Sequence, residues 1–188
     1  GSGDVTISGA IGSENPLTGL AINTGTNDQG TSIGNGIKEG VTISIANIGT
    51  SSAAGVSGTT LVGNTETGTI LNLTGSEYNT NAVTYTASSG EHINLTGGAT
   101  TTFNTSSDAI TFGTSTIEMG NGSNLVVDTS TGVGAINILG GAMGTSSETI
   151  TLSSGTGDVA IGAIGMCLPI SMYFLVYFLF DCYLVRMF

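Results

Sequence analysis

The chain has 188 residues and carries 13 acidic residues against two basic ones, Lys38 and Arg186, for a formal net charge of −11. Binding to nucleic-acid phosphates needs clustered Lys and Arg, so this composition excludes a nucleic-acid partner. Ile, Val and Leu are too frequent for a disordered acidic tail. We therefore expect a folded, acidic, Lys-poor chain, which is typical of a secreted protein.

From Asp4 to Gly165, short runs of alternating apolar and polar residues are separated by clusters of Gly, Asn and Ser. A period of two predicts strands with one buried face, and the separating clusters predict turns. No stretch before Gly165 has a sustained helical period, so we predict an all-β fold. The apolar positions of the runs, in chain order, are Val5, Ile7, Ile11, Leu20, Ile22, Ile33, Ile37, Val41, Ile43, Ile45, Leu61, Ile70, Leu71, Leu73, Val83, Tyr85, Ile93, Leu95, Phe103, Ile110, Phe112, Ile117, Met119, Leu125, Val127, Ile136, Ile138, Ile150, Leu152, Val159 and Ile161.

A sandwich, a barrel and a β-solenoid all accommodate such strands. Sandwich cores usually centre on a large aromatic residue, whereas the apolar positions here are mostly medium-sized aliphatic residues. The aromatic residues before Gly165 are only Tyr78, Tyr85, Phe103 and Phe112. We therefore predict that residues 1–165 form a parallel β-helix, with a β-sandwich as the alternative.

One phrase of sequence occurs twice. Residues 1–12 contain Gly-Asp-Val-Thr-Ile and then Gly-Ala-Ile-Gly, and residues 155–165 repeat this phrase with Gly-Asp-Val-Ala-Ile and Gly-Ala-Ile-Gly. Gly3 and Gly157 are 154 positions apart. Internal repeats are typical of stacked architectures that bury a continuous core between neighbours. We interpret the chain as one long repeat unit followed by the start of the next, from a larger array.

Residues 166–188 form a hydrophobic tail of different character, which contains both cysteines and no glycine. One interpretation is a frameshift or gene-end artefact. Another is a membrane or cell-wall anchor, because an apolar run includes Leu168-Pro169-Ile170-Ser171-Met172, which resembles a sortase motif but departs from it at Ser171 and Met172. A third is a buried cap. If the tail is genuine, it is the part through which we expect membrane contact.

Residues suited to catalysis or metal binding are sparse. His92 is the only histidine, and the carboxylates are spread singly along the chain, so no nucleophilic triad or carboxylate pair can be assembled from the sequence. The Gly-rich nonapeptide of calcium-binding β-helices is missing. We therefore expect no catalytic residue, no cofactor-binding residue, no metal site and no enzymatic activity.

The repeated phrase, extended by Pro-Leu and Leu-x-Ile up to Ile22, resembles the repeats of giant bacterial surface adhesins of the filamentous-haemagglutinin-like and autotransporter type. This resemblance implies a right-handed parallel β-helix that acts as a structural stalk, export to the cell surface, and a role in adhesion. Implied partners are neighbouring repeats of the same array and host or matrix glycans or proteins. The alternative function is that of a carbohydrate-binding or carbohydrate-cleaving β-helix, as in phage tailspikes, and two carboxylates within about 10 Å in a groove would favour cleavage.

Overall fold

The computed structural model describes residues 4–22, 41–166 and 176–178, which form strands and no helix. The strands make three sheets in which all neighbours are parallel. Sheet 1 contains β1 (Val5–Ile7), β3 (Thr42–Ile45), β5 (Ile70–Leu73), β8 (His92–Leu95), β11 (Thr116–Met119), β14 (Ala142–Gly144) and β17 (Ile164–Met166). Sheet 2 contains β6 (Glu77–Asn79), β9 (Thr100–Asn104), β12 (Asn124–Asp128), β15 (Thr149–Ser153) and β18 (Val176–Phe178). Sheet 3 contains β2 (Leu20–Ile22), β4 (Thr60–Gly63), β7 (Val83–Thr86), β10 (Ile110–Phe112), β13 (Ile136–Ile138) and β16 (Val159–Ile161).

From β5 onward the chain visits sheets 1, 2 and 3 in turn and then returns to sheet 1 one strand further along, which makes the fold a parallel β-helix. The strands of the first two coils belong only to sheets 1 and 3, and Ile11 and Ile48 continue the line of sheet 2 through isolated parallel bridges. The prediction of an all-β solenoid is confirmed. The alternative β-sandwich is wrong, because the sheets of a sandwich are built from antiparallel strands and every strand pair described here is parallel. The right-handed sense of winding stays a prediction.

Alternation along the strands places aliphatic side chains in stacked columns inside the helix. In sheet 1, Ile43 pairs with Leu71, Leu71 with Ile93, and Ile93 with Ile117, and all four side chains are fully buried. The outward column beside them is polar: the Asn94 Nδ2 donates to the Asn72 Oδ1 over 2.8 Å. Burial of each such aliphatic side chain contributes about 1.5–3 kcal/mol, so the columns stabilise the coils in sequence.

The four aromatic residues noted in the sequence meet inside neighbouring coils. Tyr78, Tyr85, Phe103 and Phe112 are all buried. The Phe103 ring stacks on Tyr78 with centroids 4.9 Å apart, and its edge-to-face contacts with Tyr85 and Phe112 have centroids 5.5 and 5.0 Å apart. A solenoid interior therefore contains an aromatic stack that we expected of a sandwich core rather than of this fold.

The two tyrosines of this stack differ in their hydrogen bonds. The Tyr78 hydroxyl donates to the Ile45 carbonyl over 2.9 Å and accepts from the Gly75 amide over 2.8 Å. The Tyr85 hydroxyl is buried and has no hydrogen-bond partner in the described part of the chain.

Tyr78→Phe should therefore lower the free energy of unfolding by about 1–3 kcal/mol, since it leaves the buried Gly75 amide without this partner. Tyr85→Phe, the matched control, should be neutral or stabilising. Urea denaturation of both variants measures the difference, and equal losses would contradict this assignment.

The same two hydroxyls predict a loss of stability at alkaline pH. Burial raises the pKa of Tyr85, and it raises the pKa of Tyr78 despite the opposing Gly75 hydrogen bond. The unfolded chain releases both protons above about pH 10, whereas the folded chain retains them. The contribution of these two hydroxyls to the free energy of unfolding is thus fully present below about pH 10 and is lost as the pH rises further. In each Phe variant, the free energy of unfolding should fall less steeply over this alkaline range.

Parts of the strand prediction differ from the structure. Leu61, predicted as a strand position with the buried residues, faces outward and is 41% exposed, because its neighbours Thr60 and Val62 take the inward positions of β4. Strands β6 and β14 were not predicted. In β14, the reason is that only Ala142 and a glycine face inward, so the strand has no pattern of large apolar residues. The predicted positions Ile33 and Ile37 lie outside the described residues.

The two copies of the repeated phrase occupy different sheets. Val5–Ile7 forms β1 in sheet 1, whereas Val159–Ile161 forms β16 in sheet 3. The second copy forms strand, corner and strand (β16 and β17), whereas after β1 the first copy makes only an isolated bridge at Ile11. The two copies are therefore not equivalent positions of one structural period. Strand β17 spans the predicted boundary at residues 165 and 166, and β18 in the tail pairs with β15.

Candidate functional site

A polar groove runs over the outer surface of sheet 2, where its strands lead into the corner toward sheet 3. Its floor is a row of three side chains in register on adjacent strands: Asn79 on β6, Asn104 on β9 and Asp128 on β12. The groove has a volume of about 470 Å³, within the range of small-molecule sites. Outward positions at the ends of three successive strands thus become neighbours about 4.8 Å apart.

A tight turn forms one wall of this groove. Gly49 has a φ of 73°, and a Cβ there would lie 2.5 Å from the Ala53 carbonyl oxygen, so the turn requires glycine. The Thr50 amide donates to the Ala53 carbonyl over 2.9 Å, and the Asn79 Nδ2 donates to the Thr50 carbonyl over 2.9 Å. These bonds hold the turn beside the floor of the groove, and Ser51 of this turn lines the groove.

Hydroxyl residues hold the corner loops that form the opposite side. Thr105 and Thr129 follow β9 and β12, and both are buried. The Thr129 hydroxyl donates to the Gly134 carbonyl over 2.6 Å, and the Thr105 hydroxyl donates to the Asp108 carbonyl. The Thr131 hydroxyl donates to the Ser106 carbonyl of the preceding coil, so loops of two successive coils are tied together along the groove.

The groove contains one carboxylate and no cation among its lining residues. The Asp128 Oδ1 accepts a 2.8 Å hydrogen bond from the Ser130 amide, and Asp128 lines the groove. The Asn104 side chain has no hydrogen-bond partner in the described part of the chain. Glycosidic cleavage by paired carboxylates requires two such groups, and the residues that line this groove include one.

A second, smaller cleft of about 360 Å³ lies between sheets 1 and 2. It is lined by Asn94, Glu118 and Thr145 among others, and Glu118 is its single carboxylate. Asn94 already donates to Asn72. This cleft therefore presents fewer free polar groups than the groove on sheet 2.

Glu148, at the corner before β15, clamps two coils together. Its carboxylate accepts hydrogen bonds from the Ser146 amide at 2.7 Å and from the Gly122 amide of the preceding coil at 3.1 Å. Burial by itself raises the pKa of Glu148, but the hydrogen bonds from Ser146, Gly122 and Thr145 outweigh this effect and hold the pKa below its usual range. A carboxylate held ionised in this way is suited to a structural role and not to that of a general acid.

The remaining candidate for chemistry, His92, begins β8 on an outward position of sheet 1 and pairs with Thr116. No cluster of three or more His, Cys, Asp or Glu residues suited to a metal ion occurs within the described ranges. Those same ranges contain no helix long and apolar enough to cross a bilayer. The groove on sheet 2 was missed by the sequence-based prediction, because Asn79, Asn104 and Asp128 become neighbours only through the register of three strands.

Comparison of the chain with protein-family models, with curated proteins and with solved structures finds no match.

Proposed function

We propose that this chain is a stalk segment of a secreted or surface-anchored adhesin, in which it acts as a rigid spacer. The fold supports this role, because ladder hydrogen bonds run along the axis of the helix and each coil packs on the next through buried aliphatic columns. The few charges on the outer faces are mostly acidic, and a net negative charge disfavours association between rods. The proposal needs no catalytic residue.

The observation that carries the proposal is that inward-facing apolar side chains of the two terminal coils are only partly buried. Val5 and Ile7 face inward on β1 but are only partly buried, whereas their pairing partners Ile43 and Ile45 are fully buried. At the other end, Val159 and Ile161 on β16 are likewise partly buried. A neighbouring coil stacked on either end would cover these side chains and pair with the edge strands, as expected of repeats in an array.

Surface display tests this function. Antibodies against the folded chain should label intact cells of the source organism, and protease added outside the cells should remove the label. Deletion of the coding region for the chain should shorten the distance between the cell envelope and a tag placed at the distal end. Labelling that requires permeabilised cells, or a deletion that leaves this distance unchanged, would overturn the proposal.

A further inference from the structure

We propose that the groove on sheet 2 is a binding site for a neutral glycan. The site consists of the floor row Asn79, Asn104 and Asp128, the turn that carries Ser51, and the loop hydroxyl residues Ser106 and Thr131. This inference goes beyond the role as a stalk, since a rigid spacer needs no binding groove.

The shape of the groove suits a short segment of a polymer. The three floor residues lie on three adjacent strands, so the row extends over two strand spacings, roughly 10 Å. The turn that carries Ser51 bounds the groove on the side of the earlier coil. At the other end of the groove, Thr131 belongs to the loop after the last of the three strands. A row of polar groups at a regular spacing matches a ligand whose own polar groups recur along its length.

The chemistry of the floor suits sugar hydroxyls. A carboxamide presents two donor hydrogens and two acceptor lone pairs, and a sugar hydroxyl is likewise both donor and acceptor. The Asn104 carboxamide has no partner in the described part of the chain, so a ligand would replace only its hydrogen bonds to water and none to these residues. Asn79, by contrast, is committed to the Thr50 carbonyl and positions the turn.

The charge of the groove selects among glycans. Asp128 is the only charged residue that lines it, and the chain as a whole has a net charge of −11. An anionic sugar would meet this carboxylate without a compensating cation, and like charges at close range disfavour binding. A divalent cation is disfavoured as well, because calcium takes six to eight oxygen ligands and the groove offers one carboxylate. Among glycans, the groove therefore favours a neutral one over an anionic one.

Affinity electrophoresis and titration calorimetry of the full chain test the proposal. The probes are the neutral polysaccharides dextran, mannan and galactan, with polygalacturonate and alginate as anionic counterparts. We expect the chain to bind at least one neutral polysaccharide and to bind the anionic ones more weakly. Asn104→Ala should weaken this binding about tenfold, which corresponds to ~1.4 kcal/mol and to the loss of one or two hydrogen bonds.

Asn137→Ala is the matched control, because Asn137 also faces outward from the middle coils but lies on sheet 3, away from the groove. It should bind like the parent chain, and thermal denaturation should show both variants to be folded. Asp128→Asn should reduce the difference between the chain's affinities for neutral and for anionic polysaccharides. Binding to none of the neutral probes, equal binding of anionic probes, or full binding by Asn104→Ala would overturn the inference. None of these outcomes bears on surface display, so the stalk function is tested separately.

Discussion

Replacement of Ile138 by aspartate should lower the free energy of unfolding by about 4–5 kcal/mol, the upper end of the range for single substitutions. Ile138 is fully buried on β13, where its pairing partners are Phe112 and Ile161. A carboxylate at this position loses its hydration without gaining a cationic partner, so it must either remain charged at high cost or bind a proton. The expected result is a large fall in the midpoint of urea denaturation, followed by circular dichroism.

Asn137→Asp provides the control for this substitution. Asn137 is the neighbour of Ile138 on the same strand and faces the opposite, outer side, where its Nδ2 lies 3.3 Å from the Thr111 hydroxyl. An aspartate there stays hydrated, and its effect should remain within about 0.5 kcal/mol. Similar losses for the two variants would contradict the inward and outward assignment along β13.

The pattern of alternation was sufficient to predict which side chains of most strands are buried. Ile43, Ile93 and Ile117 were predicted as inward positions from alternation alone, and all are fully buried. Period two fixes which residues share a face of a strand, and this information is local. The prediction was wrong at Leu61, where a threonine and a valine flank a leucine and the more hydrophobic residue is the outward one.

The assignment of strands to sheets could not be predicted from the sequence. Hydrogen bonds between side chains of adjacent coils join residues separated by 22 positions in one case and by 28 in another, so no fixed spacing reveals which strands pair. The Val-x-Ile segment of the repeated phrase forms a strand of sheet 1 in one copy and of sheet 3 in the other, so the segment itself does not specify its sheet. The groove on sheet 2 depends on the register of β6, β9 and β12, so it could not be predicted from the sequence.

Phe103→Ala should lower the free energy of unfolding by about 3–5 kcal/mol, as expected for removal of a large buried aromatic side chain. Phe103 is fully buried and touches three other rings, those of Tyr78, Tyr85 and Phe112. Each such aromatic contact is worth about 0.5–1.5 kcal/mol beyond the burial of its area. Because each coil of a solenoid is stabilised mainly by its neighbours, hydrogen exchange should accelerate most in β6 and β12, the strands on either side of β9.

Phe103→Leu separates the aromatic contacts from simple occupation of space. It retains most of the apolar volume but removes the ring contacts. Its free energy of unfolding should therefore lie between that of the parent chain and that of Phe103→Ala. Val127→Ala, at the position of β12 that pairs with Phe103, removes a smaller buried side chain without a ring and should cost less than Phe103→Ala. If Val127→Ala were as costly as Phe103→Ala, the ring stack would contribute no more than an ordinary aliphatic column. The stability of these coils would then rest on the strand ladders and on burial alone.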